Sequence, residues 1–284
     1  MSAFSADPPK IGWTTAGTVG MNFTQVGLSN WAGGGQNTIG LTSLFSATAN
    51  FNGEQSLWEN SLDLGYGLTK LGDQSFRKSD DRIILISKYG YKVNEQLSYA
   101  ALLDFRTQFH YGYTYNTDGT IKDTISNLLA PANMQLGLGV TYKPTDFLTI
   151  TIAPIANRLL IVGDVALRDK PSAPNSTTGF LGNEIGKTIR SDLGAQMNIT
   201  FKKDLMTNVN LASTFTSFAP YATITENFVN WNTLLTLKVN DYINASIAVD
   251  VVYDPKLQVR RDDGTRGPAT QVRNVLGIGF GYKF

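Results

Sequence analysis

The chain of 284 residues carries 24 Lys+Arg against 23 Asp+Glu, a net charge of +1, which gives neither a basic nucleic-acid surface nor an acidic tail. With no cysteine and a single histidine, His110, it excludes a disulfide framework, a thiolate metal site and a multi-histidine metal centre. Charged residues make up 17%, below the roughly 25% of soluble domains, and no run approaches the roughly 18 apolar residues of a membrane helix, so any passage through a membrane must be made by strands.

In chain order, MSAFSADPPK (1–10) lacks a basic n-region followed by an apolar h-region and is not a secretory signal. If the chain is exported, residues 1–11 are an N-terminal periplasmic segment of a processed form. Residues 12–284, undivided by any linker or composition break, then make one domain.

From Trp13 onward the dominant signal is alternation with period two. The first connection, SNWAGGGQN (29–37), sets Trp31 beside Gly33, Gly34 and Gly35. It is not a G-x-G-x-x-G or Walker sequence and no helix pattern follows it, so it reads as a tight rim loop rather than a phosphate cradle. Trp31 is expected in an interfacial aromatic girdle or at the mouth of the lumen.

Later strands are explicit. MQLGLGVTYK (134–143) opposes Met134, Leu136, Leu138, Val140 and Tyr142 to polar or tiny residues. LTITIAP (148–154), LGAQMNITF (193–201), WNTLLTLKV (231–239) and INASIAVDVVY (243–253) repeat the pattern. About twelve such runs occur, many near the roughly 9–11 residues that a tilted strand needs to cross a bilayer, whereas soluble strands average about five or six.

Connections alternate in length. NGEQ (52–55), VNEQ (93–96), PTD (144–146), KKDLMT (202–207) and NDY (240–242) are compact. Those at 71–81, 111–133, 162–188, 218–227 and 254–270 are long. Short turns on one side and long loops on the other define an all-β, closed antiparallel transmembrane β-barrel of about twelve strands with both termini periplasmic.

Aromatic residues at strand ends, among them Trp13, Phe51, Trp58, Tyr66, Tyr99, Tyr142 and Trp231, fit the interfacial belts of such a barrel. The terminal VLGIGFGYKF resembles the C-terminal assembly signal of outer-membrane barrels.

Three stretches carry a more specific likeness: GWTTAGTVGMNFTQVGLSNWAGGGQNTI (12–39), NSLDLGYGLTKLG (60–72) and IILISKYGYKVNEQLSYAALLDFRTQF (83–109). They resemble the DUF3078 family, outer-membrane barrels of Bacteroidota of unknown function, with similarity extending over the chain. The resemblance implies a cell outer membrane location and supplies no catalytic or binding residues.

The face opposite the apolar one gives the candidate lumen: Glu59, Asp63, Arg82, Lys88, Asp104, Arg106, Gln108, His110, Asp192, Gln196, Lys238 and Asp250. Opposite charges on neighbouring strands can pair across the ladder. Twelve strands enclose more than the side-chain-filled eight and less than a sixteen-stranded porin, which allows a narrow pore or a lumen closed by ion pairs.

The resulting expectation is a non-enzymatic outer-membrane barrel, a narrow channel or passive transporter for small polar solutes, with no cofactor and no metal. The alternative is a non-conducting structural or accessory barrel in an envelope assembly or secretion complex. Expected partners are outer-membrane lipids, lipopolysaccharide and other envelope proteins, with no nucleic acid. A third reading, a rim-located hydrolase, pairs Asp80 with His110 across β-strands beside Ser79, because Asp104 lies six residues from His110, roughly 20 Å along one strand.

Overall fold

A computed structural model describes residues 11–29, 36–116, 118–171, 179–240, 243–257, 259–261 and 265–283. Trp31, Gly33, Gly34 and Gly35 lie outside the described residues.

Twelve strands form the barrel. They are β1 (Gly12–Val26), β2 (Thr38–Asn52), β3 (Ser56–Leu71), β4 (Arg77–Lys92), β5 (Leu97–Thr107) and β6 (Ala132–Thr145), followed by β7 (Leu148–Ile161), β8 (Ile189–Met206), β9 (Val209–Pro220), β10 (Phe228–Lys238), β11 (Ile243–Tyr253) and β12 (Gln271–Lys283). Each pairs antiparallel with the next, and Thr18↔Lys283 through Met21↔Phe280 close β1 onto β12. The seam is short, four residue pairs among the described residues, and it turns the sheet into a barrel, the form in which strands satisfy their backbone groups in hydrocarbon.

The alternating runs became strands as read, and β11 coincides with 243–253. Two expected connections are shorter than their composition suggests. KKDLM belongs to β8, so the turn before β9 is Thr207–Asn208, with Asn208 at φ 66°. RKSDD begins β4, leaving only 72–76 as the preceding loop. In both places the ladder runs on past the point where alternation of hydropathy stops, although Lys202↔Ala212 and Lys203↔Leu211 remain paired.

β7 continues through Pro154, which supplies no N–H to either ladder. The register accordingly shifts on both sides of it, between Leu138 and Val140 of β6 and between Gly194 and Gln196 of β8. A proline inside a barrel strand is tolerated at such bulges. Backbone crowding there requires glycine: a Cβ on Gly139 would stand 2.0 Å from the Ile152 carbonyl oxygen.

The long connections carry local structure. Gly112–Tyr115 and Ile121–Ser126 form a hairpin after β5. After β7, helix α1 (Val165–Arg168) is capped by Asp164, whose carboxylate accepts from the Leu167 N–H at 3.1 Å. Leu167 packs with Ala130, Leu160 and Val162, flanked by Phe180 and Leu181, in a small core at the long-loop rim.

Side-chain pairs between strands that are not neighbours identify the inside of the barrel. Lys143 of β6 meets Glu59 of β3 at 2.8 Å, and Arg273 of β12 comes within 3.7 Å of Asp80 on β4. Such contacts can form only through the lumen. The opposite face of the same strands, carrying Trp13, Phe23, Tyr99, Leu138, Ile155 and Leu193, is therefore outside, and each of these is more than half exposed.

Candidate functional site

The lumen carries its charges in three tiers. Nearest the short turns, Glu59 stands directly opposite Lys88 in the β3–β4 ladder. Its carboxylate accepts from Lys88 at 2.5 Å and Lys143 at 2.8 Å. Lys92 closes the same end by donating to Asn52 Oδ1 at 2.9 Å and to the Gly53 carbonyl at 2.7 Å.

The middle tier holds most of the remaining candidates. Asp104 accepts two hydrogen bonds from the Arg106 guanidinium, each at 2.8 Å, because residues two apart on a strand share a face. Asp63 accepts from Ser46 at 2.5 Å, and Asp80 pairs with Arg82 at 3.2 Å. Asp250 binds Arg273 and Asn232, each at 2.7 Å. Arg273 extends this tier across the lumen to Asp80.

At the long-loop mouth, Arg158 of β7 pairs with Asp254, the first residue after β11, at 2.7 Å. Asp192 is held between Arg190 at 3.0 Å and Lys256 at 3.2 Å. Lys256 also approaches Glu226 to 4.0 Å, so the start of the β11–β12 connection is fastened over the lumen by three separate elements. Burial alone would raise the Asp254 carboxyl, but the Arg158 guanidinium and its hydrogen bond hold it below the usual carboxylate range.

Sequence-selected residues therefore come together in part. Glu59 and Lys88 meet directly, as do Asp104 and Arg106, while Asp63, Arg82, Asp192 and Asp250 each find the partner described above. Lys238 sits exposed at the short-turn end of β10. His110 lies beyond the end of β5 at Thr107, in an exposed loop, and its imidazole packs edge-on against Tyr111 at 5.5 Å. It does not line the lumen.

The Asp80–His110 pair does not form either. Asp80 is taken by the two arginines, while Asp81 accepts from the backbone N–H groups of Phe109 at 2.7 Å and His110 at 3.1 Å. The physical cause is that β5 and its ladder with β4 end at Thr107, three residues short of His110, so no strand register carries the imidazole to Asp80.

Charged side chains of these tiers that escaped the sequence reading include Lys143, Arg273, Arg158 and Asp254. Lys143 stood on the polar face of a quoted strand, and Arg273 precedes the terminal alternation in phase with its small residues. Arg158 lay beyond Pro154, where the alternation was lost. Asp254 sat in a connection whose fold no periodicity reports.

A separate depression of about 690 Å³ is lined by Trp58, Tyr89, Leu136, Leu138, Ile155 and Leu193. These residues belong to the outer wall, so the depression faces the surroundings of the barrel and not its lumen.

Fold and site together define a transmembrane β-barrel of twelve strands with an apolar exterior and a polar, internally paired lumen. Residues 23–113, from the end of β1 to the loop after β5, match the family model described as "Protein of unknown function (DUF3078)", so the resemblance to that family stands over this segment. Among curated proteins none matches by sequence.

Several solved structures are similar in outline. An outer membrane channel from Pseudomonas putida F1 aligns over 100% of both chains at 10% identity and a TM-score of 0.42. The NanC porin aligns over 95% of this chain and 100% of its own at 10% identity and 0.41. The translocator domain of the autotransporter NalP from Neisseria meningitidis covers 98% of this chain and 90% of its own at 15% identity and 0.36. At these scores the fold rests on the closed strand order of the chain itself.

Proposed function

We propose that the protein resides in a bacterial outer membrane and provides a narrow passive route for small polar solutes, its short-turn end and both chain ends facing the periplasm. The carrying observation is the lumen: charges enter it from at least eight strands, and within each tier cations are paired with carboxylates. A lumen built this way stays wetted without presenting a field of one sign. Twelve strands leave room between tiers that an eight-stranded, side-chain-filled barrel lacks.

A second reading, a non-conducting barrel serving an envelope complex, is favoured by one observation. Phe218 of β9 is fully buried inside the barrel against Ala153, Ala156 and Phe228, which fills part of one side of the lumen. Solute-driven swelling of proteoliposomes separates the readings. Entry of small polyols or sugars at rates above protein-free liposomes supports the route, and rates equal to the control remove it in favour of the accessory barrel.

A further inference from the structure

While the charges of the lumen are satisfied by one another, a second group of buried side chains is not. Gln196 (2% exposed), Gln135 (6%), Arg158 (7%) and Asn230 (8%) all point inward. Five of their atoms have no hydrogen-bond partner among the described residues: Gln135 Oε1, Gln196 Oε1 and Nε2, Asn230 Oδ1 and Arg158 Nε. Leaving a buried polar atom unpaired costs about 1–3 kcal/mol, so a set of five on one wall calls for an occupant.

These groups lie close together. Gln135 stands opposite Arg158 in the β6–β7 ladder. Gln196 is opposite Ala153 on one side and Phe218 on the other, and Phe218 is opposite Phe228. The Arg158 guanidinium lies 4.1 Å from the centre of the Phe228 ring, and Asn230 is two residues from Phe228 on the same inward face. The Gln196 carboxamide leans to the opposite side, its Oε1 3.7 Å from the point where a Cβ on Gly137 would stand.

We infer that this cluster is a binding site for water and small uncharged polyhydroxy solutes, which deepens the channel reading by naming its solute class. Three of the free atoms accept hydrogen bonds and two donate. A carboxylate only accepts and an ammonium only donates, whereas a hydroxyl does both and satisfies the whole set. Net charge is also disfavoured: the one charged member, Arg158, is already neutralised by Asp254, and a further buried ion would have no counterpart. The partly exposed Phe228 ring, backed by the buried Phe218, offers an apolar surface to the carbon skeleton of a polyol.

The test uses the full chain refolded in micelles with 15N-labelled glutamine and asparagine side chains, the Gln196 amide being assigned by its loss in Gln196→Met. Cross-peaks between water and the Gln196 amide are expected, with glycerol and sorbitol shifting it while acetate and methylammonium at equal concentration leave it unmoved. Absence of the water cross-peaks, or equal shifts by acetate, overturns the inference. In proteoliposomes, Gln196→Met is expected to slow glycerol entry several-fold without lowering the unfolding midpoint, and an unaltered rate in a conducting barrel counts against the site. Amide shifts without any solute entry would remove the channel while leaving the binding site in place.

Discussion

Arg158 of β7 and Asp254 at the exit of β11 meet at 2.7 Å although three strands, β8 to β10, stand between them in the barrel wall. Both side chains are mostly buried, at 8% and 15% exposure, so the pair spans the lumen in a medium that screens it poorly. Its removal leaves a buried guanidinium uncompensated. Asp254→Ala is expected to destabilise the barrel by about 3–5 kcal/mol, measured as a shift in the urea midpoint of tryptophan fluorescence in lipid or detergent. A shift under about 1 kcal/mol would mean that water reaches the pair freely.

The same pair sets a dependence on acid. The folded Asp254 carboxyl titrates below an ordinary carboxylate, whose unfolded value is about 3.9. A depressed folded value stabilises the fold fully above the unfolded pKa, and the contribution is lost as pH falls through the folded one. Hydrogen-exchange protection of the Lys256 and Leu257 amides, which donate to the Asp254 side chain at 2.9 Å and its carbonyl at 3.1 Å, should thus hold between pH 8 and about 4 and collapse only in stronger acid. Loss of protection already near pH 6 would contradict the assignment.

Arg273 is half exposed, so its contacts with Asp250 and Asp80 contribute little to stability, about 1 kcal/mol or less. Its effect should be on passage. Arg273→Ala removes the bridge across the middle tier and leaves two carboxylates facing the lumen, so single-channel conductance in planar bilayers should rise and selectivity move toward cations. Equal conductance in the variant and the parent would place the constriction elsewhere.

Glu59 gives the opposite sign. In Glu59→Gln, Lys88 and Lys143 lose their shared carboxylate, and the short-turn tier, which also holds Lys92, becomes more positive. Reversal-potential measurements should show a shift toward anions that is partly cancelled in the double variant with Lys88→Met. A cation shift would show that the two lysines do not face the solute path.

The outer wall is tested by one charge on each face. Leu138, near the middle of β6 and 57% exposed, should tolerate arginine poorly, at about 2–4 kcal/mol in a bilayer. Thr18 of β1, on the inward face and exposed to the lumen, should accept the same substitution within about 0.5 kcal/mol. Comparable costs at the two positions would argue against lipid outside and water inside.

Strand number, antiparallel order and the alternation of faces were legible because a barrel strand repeats its environment every second residue, and the side chains record that repeat. INASIAVDVVY needed no tertiary information to become β11. Legibility failed where alternation of hydropathy stopped while the ladder ran on, as in KKDLM and RKSDD, and where one proline broke the phase of β7. Phase determines face, so losing it concealed Arg158.

By itself, then, the sequence determined a closed set of about twelve amphipathic strands and the polarity of each face, both consequences of local period. Only the tertiary structure decided which charges meet. Glu59 and Lys143 are 84 positions apart, and Arg158 and Asp254 are 96 apart. Strand tilt, bulges at Gly139 and Gly194, and barrel closure bring such residues together, and these distances depend on the accumulated register of every intervening ladder.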